Sequence, residues 1–169
     1  MITIRAERPG DEAGVRRVNL AAFDTAMEAD VVDALRAGAR CYVAFVAVDG
    51  DEIVGHVAFT PVTVDGAEVG AMGLAPLAVL PARQREGIGS RLTREGLEHL
   101  RAGGCSFVVL VGHAAYYPRF GFVPASRLAL RCQWPDVPDD VWLVAVLDPR
   151  ALPASGGDVR FESAFGDLV

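Results

Sequence analysis

The sequence contains no lysine, so arginine supplies all 16 of the side chains counted as Lys or Arg. Lysine is needed to form a Schiff base with a carbonyl substrate, and a P-loop uses a lysine to contact nucleotide phosphates. The absence of lysine therefore excludes both kinds of site. It also excludes lysine as a general base.

Positive charge is scarce in the chain as a whole. The sequence has 22 acidic side chains, a net charge of −6 and a pI of about 5.0. A nucleic-acid-binding module needs a basic face that neutralises phosphates. We therefore expect no nucleic-acid partner.

Long apolar runs and a leader segment are absent as well. No run reaches the roughly 18 residues that a membrane-spanning helix needs, and residues 1–5 lack the basic and apolar parts of a signal peptide. The 169 residues are 51% apolar and 22% charged, which is typical of a globular protein. We expect a cytoplasmic protein with no membrane partner.

Cysteine and histidine are few, with three of each. Cys41, Cys105 and Cys132 are odd in number and widely spaced, and no Cys-x-x-Cys pair occurs. We predict that they are buried free thiols. Because the paired Cys and His spacing of a zinc site is also missing, we predict no metal.

Apolar spacing predicts that the first half of the chain holds two helices and then an antiparallel meander of three strands. Pro76 falls inside the third strand of the meander, where we expect a bulge or an edge because proline has no N–H to donate. The predicted elements are a strand at residues 3–5, a helix capped by Asp11, a helix at 27–36 followed by Gly38, and strands at 41–48, 53–64 and up to Leu80.

The second half begins with a strand–loop–helix–strand unit. A helix at residues 87–102 leads into an all-apolar strand at 107–111, and this order implies that the strands on either side of the helix are parallel. Two more strands are predicted at 128–132 and 141–147, with a terminal strand at 159–161.

The loop before the third helix carries the most informative motif, Gln84-x-x-Gly87-x-Gly89. Backbone N–H groups at a helix N-terminus are unpaired and lie in the positive field of the helix dipole, so glycines there let a phosphate approach closely. The two glycines would equally allow close packing of the helix on the sheet. A Rossmann fingerprint fits less well, because its third small position is occupied by Leu92.

Two segments together resemble the GNAT superfamily of N-acetyltransferases. Gln84-x-x-Gly87-x-Gly89 resembles the pyrophosphate loop of that family, and the segment Tyr-Tyr-Pro-Arg-Phe-Gly-Phe at residues 116–122 is similar to one found in a bacterial subgroup. The resemblance covers residues 2–124 and is strongest over 73–122. It implies an α/β fold with a mixed, mostly antiparallel sheet, splayed between the fourth and fifth strands, with helices on both faces.

The resemblance also implies an acetyl-CoA site. Main-chain groups of the fourth strand would pair with the pantetheine arm, and backbone N–H groups of the loop and helix would hold the pyrophosphate, with Arg83 and Arg85 adding charge at the rim. The cofactor-binding residues implied are Leu77, Ala78, Val79, Gln84, Arg85, Glu86, Gly87, Ile88, Gly89, Ser90 and Tyr117.

Three residues are the catalytic candidates. Tyr117 stands where the family places a general acid, and a phenol with a pKa near ~10 stays protonated at neutral pH. The Val79 N–H would polarise the thioester carbonyl. The family often has an asparagine after the fifth strand; His113 either replaces it, acts as a base through water, or has only a structural role. His56 is a further candidate for the cleft.

The function implied is transfer of an acetyl group from acetyl-CoA to a primary amine by direct attack. The alternative is a domain that senses acyl-CoA without turnover. The acceptor would be the amine of a small molecule or a protein, recognised by residues 23–40 and 134–142. A homodimer is possible on the sequence alone. We expect residues 1–150 to form the catalytic domain and residues 151–169 an extension that packs on it.

Overall fold

A computed structural model describes residues 1–166, which form three α-helices and nine β-strands. The helices are α1 (Glu12–Ala22), α2 (Met27–Gly38) and α3 (Ile88–Ala102). The strands are β1 (Ile2–Ala6), β2 (Val43–Asp49), β3 (Glu52–Val64), β4 (Ala67–Val79), β5 (Phe107–Val111), β6 (Val123–Pro124), β7 (Leu130–Arg131), β8 (Trp142–Val146) and β9 (Gly157–Arg160).

These elements fall into two compact units. The first contains Met1–Phe59 and Ala75–Glu98, and the second contains Thr60–Leu74 and the residues from His99 onward. Strands β3 and β4 each contribute residues to both units.

In the first unit, β1 pairs antiparallel with β2, and β2 with β3. The β2–β3 register shifts next to Val48, so that Val48 lies opposite Ile53 and Ala47 opposite Gly55. A bulge of this kind re-aims neighbouring side chains. Ile53 meets α1 at Gly14, whereas Gly55 receives the side chains of α3. Helices therefore cover both faces of the strands in this unit.

Two close approaches hold α3 on β3. A Cβ atom at Gly55 would lie 2.9 Å from Leu92 Cδ1 and 3.0 Å from Ile88 Cγ2, and a Cβ atom at Gly96 would overlap the ring of Phe59. Because Ile88 is the first residue of α3, the packing at Gly55 fixes where that helix begins.

In the second unit, β4 pairs parallel with β5, as the strand–helix–strand order predicts. The register pairs Met72 with Val108 and Gly73 with Val109, and β4 continues beyond it to Val79. Strand β8 lies antiparallel between β5 and β6, and β9 pairs antiparallel with β3 and parallel with β7. The predicted fold class, a mixed and mostly antiparallel sheet with helices, is confirmed.

Several local predictions need correction. Gly38 is the last residue of α2 and not the residue after it. The strand predicted at residues 128–132 is only Leu130–Arg131, because Ala125–Leu128 form a 3-10 turn and Ala129 has a left-handed φ of 55°. The short strand β6 was not predicted.

Asp11 stands at the N-cap position of α1, as predicted, but its side chain does not cap the helix. The carboxylate accepts two hydrogen bonds from the Arg5 guanidinium, at 2.7 and 2.9 Å, and one from the Arg8 N–H. At Pro76, β4 runs through a cis Ala75–Pro76 peptide bond.

The three cysteines are free, but they are not all buried. Cys105 is buried, which raises the pKa of its thiol to about 11, and Cys132 is half-buried. Cys41 is exposed, so the prediction of burial is wrong for it. The division at residue 150 stays a prediction, and residues 167–169 of the expected extension lie outside the described residues.

We expect Gly96→Ala to lower the free energy of unfolding by about 1–3 kcal/mol, because the new methyl group must displace the fully buried ring of Phe59. The matched control is Gly38→Ala in α2, where nothing lies within 4 Å of the Cβ position. The control should be neutral or gain up to about 1 kcal/mol from helix propensity. Urea unfolding measures both variants, and equal stabilities would contradict the packing argument.

Candidate active site

The connection from β4 to α3 is built to expose backbone N–H groups. The first intrahelical bond runs from the Arg91 N–H to the Gly87 carbonyl at 3.0 Å, so the N–H groups of Ile88 and Gly89 precede it. Gly87 has a φ of +81° with nothing within 4 Å of its Cβ position, and Arg85 has a φ of +68°. No acidic residue lies in the first turn of α3. These features leave open space and a positive field at the helix N-terminus, which suits an anion.

Arg83, which was predicted to add charge at the rim of the loop, pairs with two acidic side chains. Its Nε lies 3.2 and 3.0 Å from the two carboxylate oxygens of Glu86, and its Nη1 lies 3.0 Å from Asp49 Oδ2 at the end of β2. Without this arginine, Glu86 would oppose an anion at the neighbouring helix terminus. Arg85 is exposed.

Gln84 ties the loop back to the end of β4. Its Nε2 donates to the Val79 carbonyl at 3.2 Å. Leu77 and Val79 are half-buried, whereas Ala78 is buried in the apolar cluster beneath α1 and α2. At the end of β4, Leu77 and Val79 thus lie on the face opposite to Ala78, and the Val79 carbonyl accepts a hydrogen bond from Gln84.

The first unit holds all of these groups, and the second unit holds Tyr117 and His113. Tyr117 begins a 3-10 turn, Tyr117–Phe120, which Gly121 ends in a left-handed conformation with a φ of 90°. The Gly121 N–H donates to the Pro118 carbonyl at 3.1 Å, so Gly121 caps the turn.

The Tyr117 side chain is 8% exposed and lies among other aromatic rings. Its ring centroid is 4.9 Å from that of Tyr116, 6.3 Å from Phe120 and 5.7 Å from Phe122. Burial raises the pKa of Tyr117 well above its ordinary value, with a smaller contribution from Tyr116. The phenol therefore stays protonated at neutral pH, as a phenol with an ordinary pKa also would.

The side chain of His113 is exposed, and its backbone carbonyl accepts from the N–H groups of Tyr116 and Tyr117 at 3.1 and 3.3 Å. Arg119 donates to the Tyr116 carbonyl at 2.7 Å, and its guanidinium lies 4.5 Å from the centre of the Tyr116 ring. The His113 backbone thus anchors the turn that carries Tyr117.

His56 is completely buried beneath α1, so it does not line a cleft. The Asn19 amide nitrogen donates to the Val15 carbonyl at 3.0 Å and lies 3.2 Å from His56 Nδ1. Since an amide N–H can only donate, Nδ1 is the acceptor and Nε2 carries the proton. Nε2 lies 3.2 Å from Glu7 Oε2.

Glu7 is the centre of this buried cluster, which the sequence analysis missed. Its carboxylate accepts from the Arg36 Nε at 2.6 Å and from the Tyr42 hydroxyl at 2.8 Å, besides His56. Burial by itself would raise the pKa of Glu7, but the hydrogen bonds from His56, Arg36 and Tyr42 lower it overall. Glu7, Asn19, Arg36, Tyr42 and His56 come from five separate parts of the chain, and no spacing along the sequence links them.

Residues 1–166 contain neither a candidate membrane span nor a candidate metal site. None of their helices combines the length and apolar character needed to cross a membrane. The same residues contain no group of three or more His, Cys, Asp or Glu side chains arranged to hold a metal ion.

Comparison with known proteins assigns a family to this geometry. A model of the acetyltransferase (GNAT) domain matches residues 3–125. The chain is 36% identical over 163 residues to the uncharacterized N-acetyltransferase YhbS of Escherichia coli (strain K12), covering 96% of this chain and 97% of YhbS.

Two solved structures are similar over nearly the whole chain. YhbS from Escherichia coli in complex with CoA has a TM-score of 0.91 and 35% identity, covering 97% of this chain and 91% of that one. A GNAT family acetyltransferase from Brucella melitensis in complex with acetyl-CoA has a TM-score of 0.81 and 39% identity, covering 98% of both chains.

The buried cluster predicts an acid-sensitive fold. Burial lowers the pKa of His56 below its ordinary value of 6.5, despite the opposing effect of Glu7, so the unfolded chain binds a proton that the native protein does not. The free energy of unfolding should therefore fall as the pH drops below 6.5, by up to about 1.4 kcal/mol per pH unit. His56→Gln should lack this contribution. Denaturant titrations between about pH 7.5 and 5 measure the slope, and equal slopes in both proteins would contradict it.

Proposed function

The chain belongs to the GNAT family of acetyltransferases, and on this premise we propose that it transfers an acetyl group from acetyl-CoA to a primary amine by direct attack. The observation that supports the proposal is the open N-terminus of α3, where Gly87 and the following N–H groups would bind an anion. In the reaction a bond forms between the amine nitrogen and the acetyl carbon, the carbon–sulfur bond breaks, and the thiolate takes up a proton.

The donor set of the loop fits a pyrophosphate. The contacts would come mainly from the N–H groups of residues 87–90, while Arg85 lies exposed beside them. The Arg83 pairing with Glu86 supports the same role, since it removes a local negative charge. Gln84 would act by holding the loop against the end of β4.

The end of β4 would bind the pantetheine arm through the backbone of Leu77, Ala78 and Val79. The Gln84 amide donates to the Val79 carbonyl. The Val79 N–H is the donor proposed to polarise the thioester carbonyl. Acetyl-CoA, when bound, supplies the activated acetyl group.

Tyr117 is proposed as the general acid, with its hydroxyl giving a proton to the departing sulfur. A raised pKa keeps this proton in place at neutral pH. Because a raised pKa also makes the phenol a weaker acid, the transfer depends on a short hydrogen bond from the hydroxyl to the departing thiolate. The exposed side chain of His113 is proposed to help deprotonate the incoming amine through water.

The acceptor is proposed to be a small-molecule or protein amine, recognised by residues 23–40 and 134–142. A cytoplasmic location and a homodimer stay predictions. The competing proposal, an acyl-CoA sensor without turnover, is separated from the enzyme by release of free thiol in the presence of an amine panel.

CoA at about 100 times its dissociation constant should stabilise the protein by about 2.7 kcal/mol, or roughly 5–10 °C in Tm. Gly89→Val should remove most of this shift, because a side chain there holds the pyrophosphate away from the backbone N–H groups. Gly38→Val is the control, because it makes the same substitution in α2, where nothing lies within 4 Å of the Cβ position. This variant should keep the shift in Tm. No shift for the unaltered protein at millimolar CoA would refute the assignment.

Tyr117→Phe should lower kcat by roughly 10²–10⁴-fold while the Kd for CoA changes little, because the ring is kept and only the proton donor is lost. Tyr116→Phe is the matched control, because it removes the hydroxyl of the neighbouring tyrosine. This change should leave kcat nearly unchanged. Steady-state thiol release and CoA titration measure both. Greater damage from Tyr116→Phe would assign the acid to Tyr116.

A further inference from the structure

Gly112, which directly follows β5, has no backbone reason to be a glycine. Its φ lies outside the left-handed range that favours glycine, and its N–H donates to the Val141 carbonyl at 2.9 Å. A left-handed backbone therefore does not explain the glycine. The reason for the missing side chain must therefore be what surrounds it.

The ring of Tyr117 fills the space that a side chain at Gly112 would need. A Cβ atom built there would overlap Tyr117 Cε2 and lie 2.9 Å from Cδ2, closer than real Cβ atoms approach other heavy atoms. The other neighbour is Leu110 Cδ1 at 3.0 Å, the end of a flexible side chain that can turn aside. The aromatic ring is the rigid obstacle.

The ring cannot easily move away from this position. Phe122, 1% exposed, lies edge-on to it, and Tyr116 meets it at an interplanar angle of 84°. The backbone behind it is fixed by the two hydrogen bonds to the His113 carbonyl. A methyl group at residue 112 would thus have to push the ring against a closed aromatic cluster, and the hydroxyl would move with the ring.

We propose that Gly112 is a positioning residue, whose missing side chain sets where the Tyr117 hydroxyl lies. This inference rests on the proposed role of Tyr117 as the acid. A displacement of about 1 Å in a catalytic group can cost roughly 100-fold in rate, so the effect of a single methyl group should be measurable.

The first test asks whether the ring moves. The chain has three tyrosines, so labelling with 3-fluorotyrosine gives three ¹⁹F resonances, and Tyr117→Phe identifies that of Tyr117. Gly112→Ala should shift this resonance. Gly103→Ala is the matched control in the same unit, because the nearest atoms to its Cβ position are 3.5 and 3.6 Å away, and it should leave the resonance unchanged. An unmoved Tyr117 resonance in Gly112→Ala overturns the proposal, whatever the role of Tyr117.

The second test is a double-mutant cycle on thiol release. Gly112→Ala should lower kcat by about 10–100-fold with little change in the Kd for CoA, and it should add almost nothing in a Tyr117→Phe background. Equal losses in both backgrounds would overturn the proposal, as would an unchanged kcat beside a shifted resonance. If Tyr117→Phe alone is fully active, the acid role fails instead, and the ¹⁹F shift still decides whether Gly112 places the ring.

A variant that does not fold is also informative. If Gly112→Ala fails to fold, the double change Gly112→Ala with Tyr117→Ala removes the obstacle and should fold as well as Tyr117→Ala alone, which carries the same cavity. Failure of this rescue would show that residue 112 meets some other barrier, and it would overturn the inference.

Discussion

The contact between α3 and β3 is the constraint on which the candidate cofactor site depends. A helix offers unpaired N–H groups only in its first turn, so the place where α3 begins decides where an anion can bind. That place is fixed by Ile88 and Leu92, which lie directly on Gly55, and by Phe59, which lies on Gly96. Gly55 in β3 and Gly96 in α3 are therefore as important to the site as the glycines of the loop.

Arginine supplies the basic side chains of two ionic clusters in this chain, which has no lysine. In the loop, Arg83 bridges Glu86 and Asp49, which keeps negative charge away from the proposed pyrophosphate position. In the interior, the Glu7 carboxylate pairs with Arg36 and accepts a hydrogen bond from the Tyr42 hydroxyl. His56 beside it stays neutral because burial lowers its pKa. The planar guanidinium suits both tasks, because it holds several acceptors at once in fixed directions.

The turn that carries Tyr117 shows the same dependence on close packing. The aromatic segment could provide a proton donor on any flexible loop, but here its backbone is anchored at His113 and its ring is enclosed by neighbours. Burial keeps the phenol protonated, and enclosure limits its movement. A general acid must hold its proton at the working pH and lie within hydrogen-bond reach of the leaving group.

The sequence by itself determined the family, the order of the helices and strands from β1 to β5, and the loop–helix motif, because these are recorded in short stretches. Apolar spacing located α1, α2, α3 and β5 within a few residues, and two local motifs marked the segments that carry the proposed chemistry. Prediction from the sequence failed where a turn competes with a strand. The left-handed φ of Ala129 delays the start of the strand predicted at residues 128–132 to Leu130.

Only the tertiary structure decided what lies across from each residue. The burial of His56, the cluster around Glu7 and the ring that lies on Gly112 join residues that are far apart or follow no spacing rule. Asp11 likewise has the position of a helix cap but gives its carboxylate to Arg5, an exchange that depends on where β1 ends relative to α1. Local patterns reflect the backbone period of helix and strand, whereas these contacts depend on how the elements pack in three dimensions.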